Sequence, residues 1–184
     1  MHARLLLCWI AILLPVTAAN AEEFDIFIGQ YEGQYVHPDG DKRKNRDLSV
    51  KIQKVKDGLN ISWATTTFKN SKPKRKIYSI DFLATERDHI YSAAQKKNVF
   101  GGREPLDPMK GEPYAWARIE GRSITVFVLT IAEDGGYEMQ TYDRNLTTDN
   151  MLEVRFTRIR NGEVIAAIEA VLARKFGDKL ETDR

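Results

Sequence analysis

The chain has 184 residues, with 28 Lys and Arg against 26 Asp and Glu, a formal net charge of +2. So even a balance gives no electrostatic case for a nucleic-acid partner, and 42% hydrophobic with 10% aromatic residues is a composition that folds around a core and does not stay disordered. The single cysteine, Cys8, falls in the first apolar run, so the rest of the chain offers no disulfide, no thiol nucleophile and no thiolate metal site.

Residues 1–21 read as a secretory signal peptide. Arg4 supplies one positive charge, Leu5 to Val16 an apolar run, and Ala19-Asn20-Ala21 small residues suited to cleavage after Ala21. The run is too short to span a bilayer core, which needs roughly 20 residues. Cys8 stands too early in it for a lipoprotein signal. The expected protein is therefore an exported domain over residues 22–176, with a polar tail at 177–184 and no stable membrane insertion. Its formal charge falls from +2 to +1 once Arg4 is removed. An A-x-A signal without disulfides points to the bacterial periplasm, or otherwise to secretion.

Glu22 to Ile28 reads as a short amphipathic helical turn carrying Phe24, Phe27 and Ile28. Beyond it the apolar period is mostly two, the spacing of half-buried strands. Tyr31, Gly33 and Tyr35 share one face, as do Leu48, Val50 and Ile52, then Leu59, Ile61 and Trp63, then Tyr78, Ile80 and Phe82. Ser123 to Ala132 is apolar on both faces. Tyr137, Met139 and Thr141 alternate with Glu138, Gln140 and Tyr142. Leu152, Val154 and Phe156 form another face, and Val164, Ala166, Ile168, Ala170 and Leu172 a last one. Turn signals separate the runs: Asp39-Gly40, Asp57-Gly58, Glu120-Gly121, Gly135-Gly136, Asp149-Asn150 and, strongest, Asn161-Gly162. Lys96 to Pro113, rich in Gly and Pro, reads as a long irregular loop.

About ten strands at hairpin spacing must manage their edges, and closure does so completely. The expected fold is all-β: one up-and-down antiparallel β-barrel of about 8–10 strands. A β-sandwich is the alternative. A membrane barrel fits less well, because outward charges such as Lys51, Lys54, Glu153 and Arg155 interrupt any lipid-facing band.

The opening Phe24-Asp25-Ile26-Phe27-Ile28-Gly29-Gln30-Tyr31 resembles that of lipocalin-like (calycin) barrels, where a short helix leads into Gly-x-Trp. Here Tyr31 stands in place of tryptophan. The resemblance implies that a basic residue on the last barrel strand packs across the aromatic ring and closes one end. Arg158, continuing the Leu152, Val154, Phe156 face, is the expected residue, with Gly29 and Tyr31 as its structural partners. The resemblance also implies a small apolar ligand held in the barrel, and Trp63, Tyr78, Phe82, Trp116 and Tyr142 are the candidate lining.

Other constellations are weaker. His37 and His89 are too few and too isolated for a metal site, His37-Pro38-Asp39-Gly40-Asp41 reads as a turn, and a haem ligated by His89 has no supporting motif. No metal or other cofactor is expected. No nucleophile motif occurs, and the carboxylates Glu120, Glu133, Asp134 and Glu138 flank turns. The basic stretches Lys42-Arg43-Lys44 with Arg46, and Lys69 to Lys76, lack the interleaved aromatics of nucleic-acid platforms. They read as solvated strand ends or as a positive rim. Asn60-Ile61-Ser62 and Asn145-Leu146-Thr147 match the glycosylation sequon. Three functions remain open: a ligand-binding barrel, a cell-envelope module with a filled core, and an enzyme with inward ionisable residues such as Glu86, Arg118 or Arg144.

Overall fold

A computed structural model describes residues 22–41, 44–69, 72–93, 96–97, 103–104 and 106–175. The expected signal peptide, the polar tail 177–184 and part of the first basic stretch (42–43) lie outside these residues.

The described chain is all-β and contains one closed barrel. A 3-10 turn at Asp25–Phe27 leads into β1 (Gly29–Tyr35), followed by β2 (Arg46–Val55), β3 (Gly58–Lys69), β4 (Lys72–Ala84) and β5 (Ile90–Ala93). The short β6 (Lys96–Lys97) and β7 (Arg103–Glu104) pair with each other apart from the barrel. Then come β8 (Tyr114–Glu120), β9 (Ser123–Ile131), β10 (Tyr137–Leu146), β11 (Leu152–Arg160) and β12 (Glu163–Lys175). Ten strands close in the order β1-β2-β3-β4-β5-β8-β9-β10-β11-β12, with β12 returning to β1, every pairing antiparallel. Closure into a ring of ten strands rules out the sandwich.

Period-two patterning decides which side chains turn inward. Tyr31, Val50, Ile52, Leu59, Ile61, Phe82, Ala117, Ile119, Ile124, Val126, Leu146, Leu152 and Leu172 form one packed core with Phe24 and Phe27. The two phenylalanines come from the 3-10 turn before β1, so the turn plugs the barrel at the end where β1 begins. Phe24 meets Tyr91 edge to face at 6.0 Å. The turns follow their residues: Asn161 and Gly162 link β11 to β12 with φ of 48° and 88°, the two positive angles a type I′ hairpin requires.

Two segments differ from the sequence reading. Lys96 to Pro113 is not wholly irregular, since it contains the β6–β7 pair and a second 3-10 turn at Pro108–Lys110, capped by Asp107. Between β11 and β12 the register shifts, because the consecutive β11 residues Arg158 and Ile159 face Ala166 and Val164 of β12. The extra residue is a bulge, and it throws Val164 to the outer face, 63% exposed, instead of continuing the Ala166, Ile168, Ala170, Leu172 face.

Candidate functional site: a half-filled barrel interior

The end closed by Phe24 and Phe27 is sealed by an arginine. Tyr31 is fully buried and its hydroxyl donates to the Phe27 carbonyl at 2.9 Å. Arg174 on β12 faces Tyr31 across the ladder and lays its guanidinium 5.4 Å from the ring centroid. Its Nη2 donates to the carbonyls of Ile26 (3.0 Å) and Ile28 (2.6 Å), tying the turn to the last strand. Gly29 makes room for this: a Cβ there would stand 2.9 Å from Arg174 Nε. The expectation for Arg158 is thus corrected. Arg158 lies on β11 toward the opposite end, with Nη2 donating to Glu138 Oε2 at 2.6 Å. The last strand runs one hairpin further than the face that suggested Arg158, so Arg174 takes the place beside Tyr31.

Above the packed half the interior opens. A cavity of about 350 Å³ is bounded by Leu48, Val50, Trp63, Tyr78, Tyr142, Val154, Phe156, Ala166 and Ile168, with Arg46, Lys76, Arg144 and Arg158 among its polar groups. A second, of about 720 Å³, shares Trp63, Tyr78 and Tyr142 and runs toward Ala93, Ala115, Val128, Leu106 and Pro113. The shared residues form an aromatic partition. Trp63 stacks on Tyr78 (centroids 5.5 Å, interplanar 22°) and meets Tyr142 at 5.0 Å, and Tyr142 meets Phe156 at 4.9 Å.

Three of the five expected lining residues, Trp63, Tyr78 and Tyr142, therefore come together. Phe82 does not join them. It points inward but is fully buried in the packed half. Trp116 does not line the interior either. On β8 the inward positions are Ala115, Ala117 and Ile119, so Trp116 takes the other face and stacks on Phe127 at 4.9 Å and 16°. Of the ionisable residues singled out, Glu86 is exposed between β4 and β5, and Arg118 is exposed on the outer face 3.9 Å from Glu120. Arg144 alone is inside.

Arg144 is the unusual group of this interior. Its side chain is 2% exposed, follows the inward parity of Tyr142 and Leu146, and packs 5.3 Å from the Trp63 ring and 5.6 Å from the Tyr142 ring. Nη1 donates to the Tyr142 carbonyl at 3.3 Å, while Nε is buried with no hydrogen-bond partner. Among the described residues no carboxylate pairs with it. Burial pushes its pKa down from the ordinary guanidinium value to about 10, against the opposing pull of Tyr142 and Asp143, so the group remains a cation at neutral pH. Arg46, on the wall of the same cavity, also has a buried Nε without a partner.

Four polar side chains of the interior form a hydrogen-bonded string. Tyr142 Oη donates to Gln140 Oε1 (2.7 Å), Gln140 Nε2 to Glu138 Oε1 (2.7 Å), and Arg158 completes the string at Glu138. Burial raises Tyr142 to about 12, and the Arg158 bond holds Glu138 below the usual carboxylate range.

Sequence reasoning missed Arg46 and Phe156 as cavity walls and Arg174 as the seal. A usable signal existed for each, namely a side chain standing at an apolar parity: Arg46 two residues before Leu48, Arg174 two after Leu172. His37 and His89 are occupied elsewhere. His37 Nδ1 lies 2.6 Å from Asp39, which also binds Lys44, and His89 Nδ1 lies 2.8 Å from Glu23. Comparison of the chain with protein-family models and with curated proteins finds no match.

Proposed function

We propose that this protein is an exported carrier of a small amphipathic molecule, held in the open half of the barrel. The observation that carries the reading is the cavity of about 350 Å³ walled by Trp63, Tyr78, Tyr142 and Phe156 beside aliphatic Leu48, Val50 and Ile168. Its size falls within the range of small-molecule sites, and apolar walls with a few placed polar groups are what such sites use. A ten-strand barrel is wide enough to leave that space, whereas about eight strands can be filled by side chains. The resemblance of the Gly29-Gln30-Tyr31 opening to lipocalin-like barrels supports the same reading, and the signal-like residues 1–21 support a periplasmic location.

Titration with N-phenyl-1-naphthylamine, an uncharged fluorophore that brightens in apolar surroundings, tests the proposal. Saturable binding by the wild type is expected, reduced about tenfold or more in Ala166→Trp, whose side chain would fill the cavity. Absence of binding, or identical binding by the filled variant, would overturn it.

A further inference from the structure

We infer that the ligand of this cavity is an organic anion: an apolar or aromatic body bearing one acidic head, which the guanidinium of Arg144 receives, with Arg46 as the second cation of the site. This rests on the carrier reading above and adds the chemical class. The argument starts from an imbalance. A charge is expensive to bury and is retained inside proteins when paired. Arg144 is 2% exposed, has no carboxylate partner among the described residues, and leaves Nε unsatisfied at the boundary between packed core and cavity. Its aromatic neighbours Trp63 and Tyr142 stabilise the cation and fix the plane of the guanidinium, yet they offer no acceptor to Nε. Arg46 repeats the deficit on the same wall. On the same cavity wall Arg158 is matched by Glu138, whereas Arg144 and Arg46 keep buried Nε donors without an acceptor. An incoming acidic oxygen would satisfy the open donors, and a planar two-oxygen head matches the guanidinium fork. The flat body would lie along the Trp63–Tyr142 wall.

The test compares 1-anilinonaphthalene-8-sulfonate with N-phenyl-1-naphthylamine, which share a ring system and differ by the acidic head. The wild type is expected to prefer the sulfonate. Arg144→Met should lower affinity for the sulfonate by about tenfold or more beyond any change it makes to binding of the neutral dye, as befits one charge-assisted hydrogen-bonded contact. Displacement by decanoate, decyl sulfate and decanol then identifies the preferred head, decanol being the weakest competitor. Unchanged sulfonate affinity in Arg144→Met, or equal loss of both dyes, overturns the anion assignment and leaves the carrier reading to the neutral dye and Ala166→Trp. Failure of the wild type to bind the neutral dye overturns the carrier reading itself.

Discussion

Arg174 and Arg144 both turn inward on the barrel wall, and their surroundings give them opposite effects on stability. Arg174 has acceptors: two carbonyls of the N-terminal turn and the face of Tyr31. Replacing it by Met would strand those carbonyls and loosen the plug. A loss of about 2–3 kcal/mol in urea denaturation is expected, from two hydrogen bonds to a charged donor and one cation–π contact. Arg158→Met, which removes a half-exposed ion pair, should cost less than about 1 kcal/mol. An equal cost for the two would refute the sealing role. Arg144→Met should instead stabilise the unliganded protein by about 1–3 kcal/mol, since it removes a desolvated cation with no counter-charge. The pH dependence has a definite sign. The folded-state pKa of Arg144 is about 10, below the ordinary guanidinium value. Its penalty is therefore complete below pH 10 and fades only above it, so the gain from Arg144→Met persists across the whole neutral range. Holding a buried residue at a cost in stability is the trade expected where that residue serves binding.

At the scale of elements, most of the barrel was legible because most strands have one buried face. Leu59, Ile61 and Trp63, or Leu152, Val154 and Phe156, announce a strand by alternation alone. Legibility fails where a strand is short or its two faces are chemically alike. β5 is Ile90–Ala93, four residues with a tyrosine and two small side chains, too brief for a period to register. β8 buries alanines and turns Trp116 outward, so reading large as inward placed Trp116 on the wrong side. The bulge near Ile165 is a register event that only pairing reveals. The same limit applied to the site: the aromatic partition could be inferred strand by strand, but Arg174 meets Tyr31 only once β12 returns to β1. The entry to β5 carries its own prediction. His89 adopts φ of 64° and binds Glu23 of the N-terminal turn, and that hydrogen bond, with the charge of Glu23, raises the imidazole pKa. Stability from this contact is present below the ordinary histidine pKa and is lost as pH rises through the raised folded value. An NMR titration should show the His89 ring changing protonation at higher pH than an unstructured histidine, and Glu23→Gln should move it back toward the ordinary value, with the charges of Asp88 and Glu120 still in place. No difference between the two would dissolve the link.

The whole molecule is a closed cylinder with one half packed and the other half open, and its wall is uneven. On one side β9, β10 and β11 pair along nearly their full lengths, from Tyr137 opposite Ile131 to Leu146 opposite Leu152. On the other side, among the described residues, β5 pairs with β4 through Phe82, Leu83 and Ala84, and with β8 through Trp116, Ala117 and Arg118. Among the described residues the stretch of β4 from Lys72 to Asp81 thus has a ladder with β3 but none with β5. The larger cavity, bounded by Ile80, Ala93, Leu106, Pro113 and Ala115, opens along this seam. Regions with few ladder bonds and a nearby cavity open locally at lower free energy than the global unfolding limit. Amides of Tyr91 to Ala93 are therefore expected to exchange with deuterium at least about tenfold faster than those of Val126 to Leu129, which sit between two complete ladders. A bound ligand filling the interior should narrow that gap, because binding stabilises the closed state by mass action. Equal protection of β5 and β9 in the unliganded protein would mean that closure is uniform around the ring, and the seam would then offer no route between solvent and the barrel interior.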